Sequence, residues 1–535
     1  MLFLALVFGI VSGLVAWLYS LYFEGLLELV WKIVPQHVIQ PGLESLSKRY
    51  SWFPSLQKTA CVYTVVAATV LGFLCGFTQL LMGSPGDLPE TVRAIHERGR
   101  IPVKQAPCMF ICSAMSICAG GSLGPEAALL ALCGAAVSGV ASGVFGFRGK
   151  RLRECALMGM TAGLAAFFGV ALGGSLFALE VLHRGGLQFF EVASYAIATG
   201  LVGLVVFRAL LQRPFGAVWD FPATFPEVDY RHVILGMMMG ALAAGVALAF
   251  MKMHHALHKV VHHMRLDEHK TPVACGTLGA VLIGCLAIVL PPVAFWGELE
   301  INTLAQPTRP LPHLWPQGGA IYGTGLFCQG SYPGWMYLLL GVAKLLAISI
   351  SVSAGFRGGF IFPLMFAGTA FGQALATIPG IPFFSSLPPV LLAMTAAAGL
   401  NTAVTRTPLA TTHILAILCG QSNVTVPCLA AALTALFLTN PFPFILSQRD
   451  REDVHLKQLD EILDEEGNVM LMARDVDGHT TANINGRSFD VQIDRQELLA
   501  GVAQTMHNGA GDDQVNLTLR FTGQGREEPI QIGGV

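Results

Sequence analysis

Over 535 residues, 53% of the side chains are hydrophobic and only 12% are charged, against about 25% charged in a typical soluble domain. That deficit argues for a membrane protein and against a soluble enzyme or a nucleic-acid-binding module. The formal net charge of −2 hides an uneven split: residues 447–535 carry 8 Lys and Arg against 17 Asp and Glu, a net of −9, while residues 1–446 carry 24 against 17, a net of +7.

A membrane helix needs roughly 20 apolar residues. Candidate runs lie near 3–22, 60–82, 125–146, 155–182, 190–212, 232–253, 272–294, 335–352, 359–378, 387–400, 408–420 and 425–446. Several are short or cut by Gly and Pro, so half-helices are expected. The first run has no basic leader or small-residue cleavage site and reads as a retained membrane helix. Basic loops mark the cytoplasmic face. FRGKRLRE at 147–154, MKMHHALHKVVHHMRLDEHK at 251–270 and SQRDRED from Ser447 are therefore placed inside, and the Pro- and Gly-rich connection from about Pro291 to Pro333 outside. The twelve cysteines are scattered, mostly inside apolar runs, with no C-x-x-C, and read as small buried residues. The last 89 residues change character, with strand-like NVMLMARDVDG, TANINGRSFDVQID and VNLTLRFTG and a helix-like RQELLAGVAQTMH. They are expected to form a small α+β cytosolic tail.

A repeat organises the body. GGSLGPEAALLALCGA begins at Gly120 and GGFIFPLMFAGTAFG at Gly358; the prolines, Pro125 and Pro363, are 238 residues apart. TAGLAAFFGVALGGSLFALEV begins at Thr161 and AAGLNTAVTRTPLATTHILAI at Ala397; their shared glycines, Gly163 and Gly399, are 236 apart. Two motifs in one order at nearly one offset indicate a duplicated membrane fold. Pro is at no disadvantage in a first helical turn, and a helix start leaves free N–H groups and partial positive charge. Two such starts converging near the membrane midplane would form an anion site without a fixed cation.

These motifs resemble the CLC family of voltage-gated-type chloride channels and chloride/proton antiporters, over roughly residues 60–446. GGSLGPE is similar to its gate motif and GGFIFP to its second filter loop. GLAAFFGVALGGSLFALEV is similar to the helix pair after the gate, and GSPGDLPE at 83–90 is a weaker match to the first filter loop. The resemblance implies an all-α polytopic membrane fold of two inverted-topology repeats with tilted and broken helices. A transmembrane domain would cover 1–446 (halves about 60–212 and 232–446) and an acidic cytosolic region 447–535, the chain forming a homodimer in the lipid bilayer with one pore per subunit. Ser84 would face the inner anion site. Gly121, Ser122, Leu123, Gly124, Gly359, Phe360, Ile361 and Phe362 would line the central one. Bound chloride or a similar small anion is expected, and no cofactor, metal or catalytic residue.

The departures carry the functional reading. The family's antiporters have a glutamate directly before the Gly-Pro of the gate motif, where this chain has Leu123. Their second, proton-relaying glutamate is replaced by Val181, after Glu180. The pore tyrosine has no counterpart, NPFPFILS at 440–447 offering only Phe442 or Phe444. Leucine and valine carry no protons, so passive anion conduction is expected. The alternatives are an antiporter using non-standard carboxylates and a non-conducting scaffold. Glu126 reads as a carboxylate stabilised by a helix dipole, as a substitute gate, or as a contact to a loop or cation. Glu180, Val181, Phe442 and Phe444 are placed at the inner mouth, with capping the leading role for Glu180. Arg406 is expected to neutralise carbonyl ends and His413 to be a hydrogen-bonded buried histidine. His254, His258 and His262 share a helical face and read as a solvated basic end rather than a zinc site. If Leu123 stands in the gate position, Leu123→Ala speeds anion flux and Leu123→Glu makes it pH-dependent; chloride efflux from liposomes at several pH values checks both.

Overall fold

The computed structural model describes residues 2–49, 55–187, 189–213, 215–221, 227–309, 311–316, 332–377 and 387–449, and seven short strands between Ile462 and Gln531. The helices are Leu2–Glu28 (α1), Gln40–Arg49 (α2), Leu56–Met82 (α3), Leu88–Arg98 (α4), Ala106–Cys118 (α5), Glu126–Gly143 (α6), Gly149–Phe168 (α7), Ala171–Glu180 (α8) and Ala193–Leu211 (α9). They continue with Tyr230–His263 (α10), Pro272–Val289 (α11), Ile301–Ala305 (α12), Gly334–Ser353 (α13), Ile361–Thr377 (α14), Pro389–Thr405 (α15), Pro408–Leu418 (α16) and Thr425–Thr439 (α17). Among the described residues eight helical stretches are long and apolar enough to cross a membrane, while α5, α8, α14, α15 and α16 belong to shorter apolar ones. The expected half-helices are therefore present.

Local chemistry explains the boundaries. Asp87 starts α4 by accepting the Glu90 amide at 2.8 Å, and Asp229 starts α10 by accepting the amides of Arg231 and His232. Proline opens α11, α15 and α16, where its missing N–H has no partner to lose. The run at 155–182, expected as one span, is two helices, α7 and α8. The chain turns at Gly169, whose φ of +71° stops α7 in the left-handed conformation glycine tolerates. The first and sixth spans are longer than the apolar runs suggested, and α10 carries the histidines of 254–263 on its last turns.

Packing follows membrane rules, in which close backbone approach replaces a hydrophobic drive. Gly72 and Gly76 of α3 lie against the backbone of Gly276 and Pro272 in α11 with no room for a methyl group. The opposite faces of these helices expose Val62, Val66 and Val70, and Leu278 and Leu282, spaced four apart as a lipid-facing stripe requires. Beyond Arg449 the described residues are strands only. Ile462–Leu463 (β1) pairs with Val469–Met470 (β2). Ala473–Arg474 (β3), Thr480–Ile484 (β4), Arg487–Gln492 (β5), Thr518–Thr522 (β6) and Ile530–Gln531 (β7) pair antiparallel in that order. The helix expected at 495–507 lies outside the described residues.

One buried cation holds the chain's irregular middle together. Lys344, fully buried on α13, donates to the carbonyls of Val293 at 2.9 Å, Phe295 at 2.8 Å and Ala294 at 3.4 Å, and lies 4.9 Å from the Phe366 ring centroid on α14. Lys344→Met leaves those carbonyls without their donor. It is expected to lower stability by about 2–3 kcal/mol, seen as a lower melting temperature of the detergent-solubilised protein; an unchanged melting temperature would show that the ammonium does not clamp this turn.

Candidate functional site

The two glycine-rich breaks meet at the centre of the molecule. Helices α5 and α13 end alike, on left-handed glycines Gly120 (φ +84°) and Gly355 (φ +74°). The chain after each then crosses to the other half. The Ser122 amide donates to Ser351 Oγ on α13 at 3.0 Å, and the Arg357 amide donates to Ser116 Oγ on α5 at 3.0 Å. Gly124 and Gly359 exchange both backbone bonds, at 2.6 and 2.7 Å. The bonds are reciprocal under one offset: Ser116 and Ser351, Gly120 and Gly355, Ser122 and Arg357, and Gly124 and Gly359 all lie 235 residues apart. The helices that follow start at Glu126 and Ile361, again 235 apart. This register replaces the 238-residue offset read from the prolines. Gly120–Gly121 corresponds to Gly355–Phe356, and Pro363 is a local feature of α14 rather than the partner of Pro125. Hydrogen bonds across a pseudo-two-fold set the register, and a proline contributes no donor to it.

The N-termini of α6 and α14 therefore approach each other, and a single carboxylate lies between them. Glu126 is 1% exposed. Its Oε1 accepts the Phe362 amide, in the first turn of α14, at 3.3 Å. Its Oε2 has no hydrogen-bond partner among the described residues. A methyl group at Gly124 or Gly359 would collide with this carboxylate, so the glycines keep room for an anionic group. Leu123 is fully buried, its Cβ against Gly358. Phe360 and Ile361 are buried, and Phe362 packs edge-on against Phe167 at 5.8 Å and Phe168 at 5.5 Å. Gly124, Gly359 and Phe362 thus surround Glu126, while Gly121 and Ser122 are tied to Ser116 and Ser351 and Phe360 packs on Phe444.

A cavity lies on one side of this cluster and the loop that carries Ser84 on another. A cavity of about 460 Å³ is lined by Phe167, Glu24, Arg208, Arg213, Trp296 and Glu298 among others. Phe167 separates it from Phe362. Glu298 accepts the Trp296 indole N–H at 3.0 Å, and its carbonyl accepts that of Trp219 at 2.8 Å. Ser84 is on the loop between α3 and α4. Its Oγ accepts from Arg357 Nη2 at 3.0 Å and from the Gly86 amide at 3.4 Å. Ser84 is joined to the central cluster through the Arg357–Gly358 backbone.

The remaining residues take structural positions. Both oxygens of Glu180 accept amides in the first turn of α16, from Leu409 at 3.1 Å and Ala410 at 2.9 Å, so this carboxylate caps a helix N-terminus. Val181 is buried and its carbonyl accepts Gln448 Nε2 at 2.9 Å. Phe444 packs on Phe360 at 5.5 Å, Phe250 at 5.4 Å and His254 at 5.2 Å. Phe442 is 55% exposed and stands apart from this cluster. Arg406, fully buried, donates to the carbonyl of Thr439 at 2.6 Å and of Leu436 at 3.4 Å, closing the C-terminus of α17. His413 is half-buried on α16. Among the described residues no group of three or more His, Cys, Asp or Glu is placed to hold a metal.

Two features escaped the sequence reading. Ser116 and Ser351 looked like ordinary small residues in apolar helices; only the crossing amides reveal them. Arg357 offered a signal, since it interrupts an apolar segment immediately before a Gly-Gly, and ionisable residues at such a depth are functional by default.

A family model described as voltage gated chloride channel matches residues 66–440. The chain is similar to "Chloride/fluoride channel protein" of Pseudomonas syringae pv. tomato, with 25% identity over 328 residues, 59% of this chain and 64% of that protein. It thus spans just under two thirds of that relative's length. Two solved structures share the fold. A CLC-type fluoride/proton antiporter matches with a TM-score of 0.62 and 19% identity over 84% of this chain and 97% of the other. A slow cyanobacterial Cl-/H+ antiporter matches with a TM-score of 0.65 and 16% identity over 85% and 97%.

If Glu180 is a cap and not a proton relay, Glu180→Ala costs about 1–2 kcal/mol of stability. Glu180→Gln, which keeps one acceptor oxygen, costs less. Melting temperatures and chloride flux measured side by side check this; a flux change in Glu180→Gln without a melting-temperature change would contradict the capping role.

Proposed function

The chain belongs to the voltage-gated chloride channel family, whose members move anions across membranes, and we propose that within it this protein conducts anions passively through a path gated by Glu126. The observation that carries the reading is the Glu126 carboxylate on the Phe362 amide between two facing helix N-termini. First-turn helix amides and converging dipoles favour any small anion there. The carboxylate is such an anion on a tether, so it and the permeating ion compete for one place. Protonation removes the charge that holds it there. In this role Glu126 replaces the glutamate that family antiporters carry at the position of Leu123.

Passive conduction is favoured over exchange by the other end of the path. Val181 cannot titrate, and neighbouring Glu180 is committed to α16 through two amides. The second reading, proton-coupled exchange, is favoured by one observation: a buried carboxylate at the anion position. The path would run from the cavity at Glu298, past Phe167 and Phe362, to Ser84. The loop holding Ser84, the α10–α11 turn and the tail would face the cytosol, and two copies would associate as a homodimer, each with its own path.

Chloride efflux from liposomes tests both. Wild-type efflux should rise as pH falls and Glu126 is neutralised. Glu126→Gln should be fast and independent of pH, by about tenfold relative to wild type at neutral pH. Uphill proton movement driven by a chloride gradient would establish exchange instead, and wild-type efflux indistinguishable from empty vesicles would end the conduction reading.

A further inference from the structure

Besides Glu126, which stands opposite Ile361, a second charge breaks the two-fold that relates the halves: Arg357 occupies the place that Ser122 holds in the first half. We propose that Arg357 adds a guanidinium to the inner anion site that the family resemblance places at Ser84, and that Glu268 is the carboxylate a small monovalent anion displaces there. This deepens the conduction reading and rests on it for its role in transport.

Four observations converge. Arg357 is 3% exposed, yet a single nitrogen makes its side-chain bonds: Nη2 meets Ser84 Oγ at 3.0 Å, Gln79 Oε1 at 3.2 Å and Glu268 Oε2 at 3.5 Å. Its Nε, also buried, has no acceptor among the described residues. A guanidinium carries five donors in a fixed fork, so this one holds unused capacity to bind an anion. Second, the group is rigidly placed. The Arg357 amide is bonded to Ser116 Oγ, and Gln79 Nε2 donates to the Gly355 carbonyl at 2.9 Å, so little ordering is needed on binding.

Third, the counter-ion is a poor match. Paired guanidinium and carboxylate groups settle at about 2.7–2.9 Å, often through two bonds. Glu268 approaches with one oxygen at 3.5 Å, and its side chain is 26% exposed on the turn between α10 and α11. Its other oxygen lies 3.8 Å from His269 Nε2. A fully buried cation facing a half-solvated carboxylate is under-compensated, and a permeating anion supplies what is missing. Fourth, the place lies on the proposed path: Arg357 precedes Gly358, against which Leu123 packs, and its guanidinium meets the serine of the 83–90 loop. The two ends thus use one device, a carboxylate in an anion's seat: Glu126 on helix amides, Glu268 on a guanidinium.

The test uses the full chain in detergent for chloride titration by calorimetry and in liposomes for chloride efflux, with Arg357→Gln, Arg357→Lys and Glu268→Gln. Arg357→Gln should weaken chloride binding by about tenfold and Arg357→Lys by less, because lysine keeps the charge but loses the fork. Glu268→Gln should do the opposite and tighten binding by about threefold, because the competitor is gone. A purely structural ion pair predicts something else: both neutral variants melt earlier and bind chloride as wild type does, and that result overturns the proposal. Glu268 is partly exposed on a turn, so its variant carries the test even if Arg357→Gln does not fold; weaker chloride binding in Glu268→Gln overturns it too. Wild-type vesicles without efflux, together with chloride binding that depends on Arg357, would sink conduction and uphold the site. Normal efflux with Arg357→Gln affinity within about twofold of wild type would sink the site and leave conduction standing.

Discussion

Everything at the centre of this protein depends on the two backbone bonds between Gly124 and Gly359. A helix broken inside a bilayer leaves amides and carbonyls that no water can satisfy, and irregular backbone survives at such depth only when protein buries it. Here each break supplies what the other lacks. The glycine peptides exchange hydrogen bonds, and Ser351 and Ser116 each take an amide from the opposite loop. That reciprocity fixes the distance and angle between α6 and α14 and turns both N-termini toward one point. Once they face each other, the only group that belongs between them is negative.

The same electrostatic logic governs most buried charges. Glu180 is answered by the amides of α16 and Arg406 by the last carbonyls of α17. Lys344 is answered by three carbonyls of an irregular turn. Peptide dipoles answer Glu180 and Arg406, while Lys344 also has the buried carboxylate of Glu300 as a charged neighbour. Dipoles suit a low-dielectric interior, where a bonded charge is stable and a second buried ion would bring its own desolvation cost. Such charges cannot move without undoing a helix end. Glu126 uses the same kind of partner, but with one oxygen left over and glycines around it, which is why the proposed gate is placed there.

Much of this was legible in the sequence, and what was not has a physical reason. The breaks at Gly120–Pro125 and Gly358–Pro363 and the caps at Glu180 and Arg406 could be read because Gly, Pro and charged residues in apolar runs have few other uses. The register of the repeat could not. Matching glycines and prolines gives 238, whereas the two-fold runs through Ser116–Ser351 and Gly124–Gly359 at 235, and hydrogen bonds across an interface leave no imprint on composition. The split of 155–182 was hidden because Gly169 acts through its dihedral angle rather than its polarity. Phe442 and Phe444 were indistinguishable by type, and only packing against Phe360 separates them. The three-residue shift from Leu123 to Glu126 moves the carboxylate from the loop onto the first turn of α6, so that it reaches across to the other half's helix.

That shift has a consequence for how ions pass. Amides and dipoles bind an anion weakly enough to release it, which conduction requires, whereas a fixed guanidinium in a dry site would trap one. Arg357 is kept from doing so by Glu268, whose single bond at 3.5 Å offsets much of the charge without closing the seat. The two proposals share one device: at each end a tethered carboxylate lies where an anion would bind. On the proposed reading the ion and the tether exclude each other from one place, and such a path closes without any steric door.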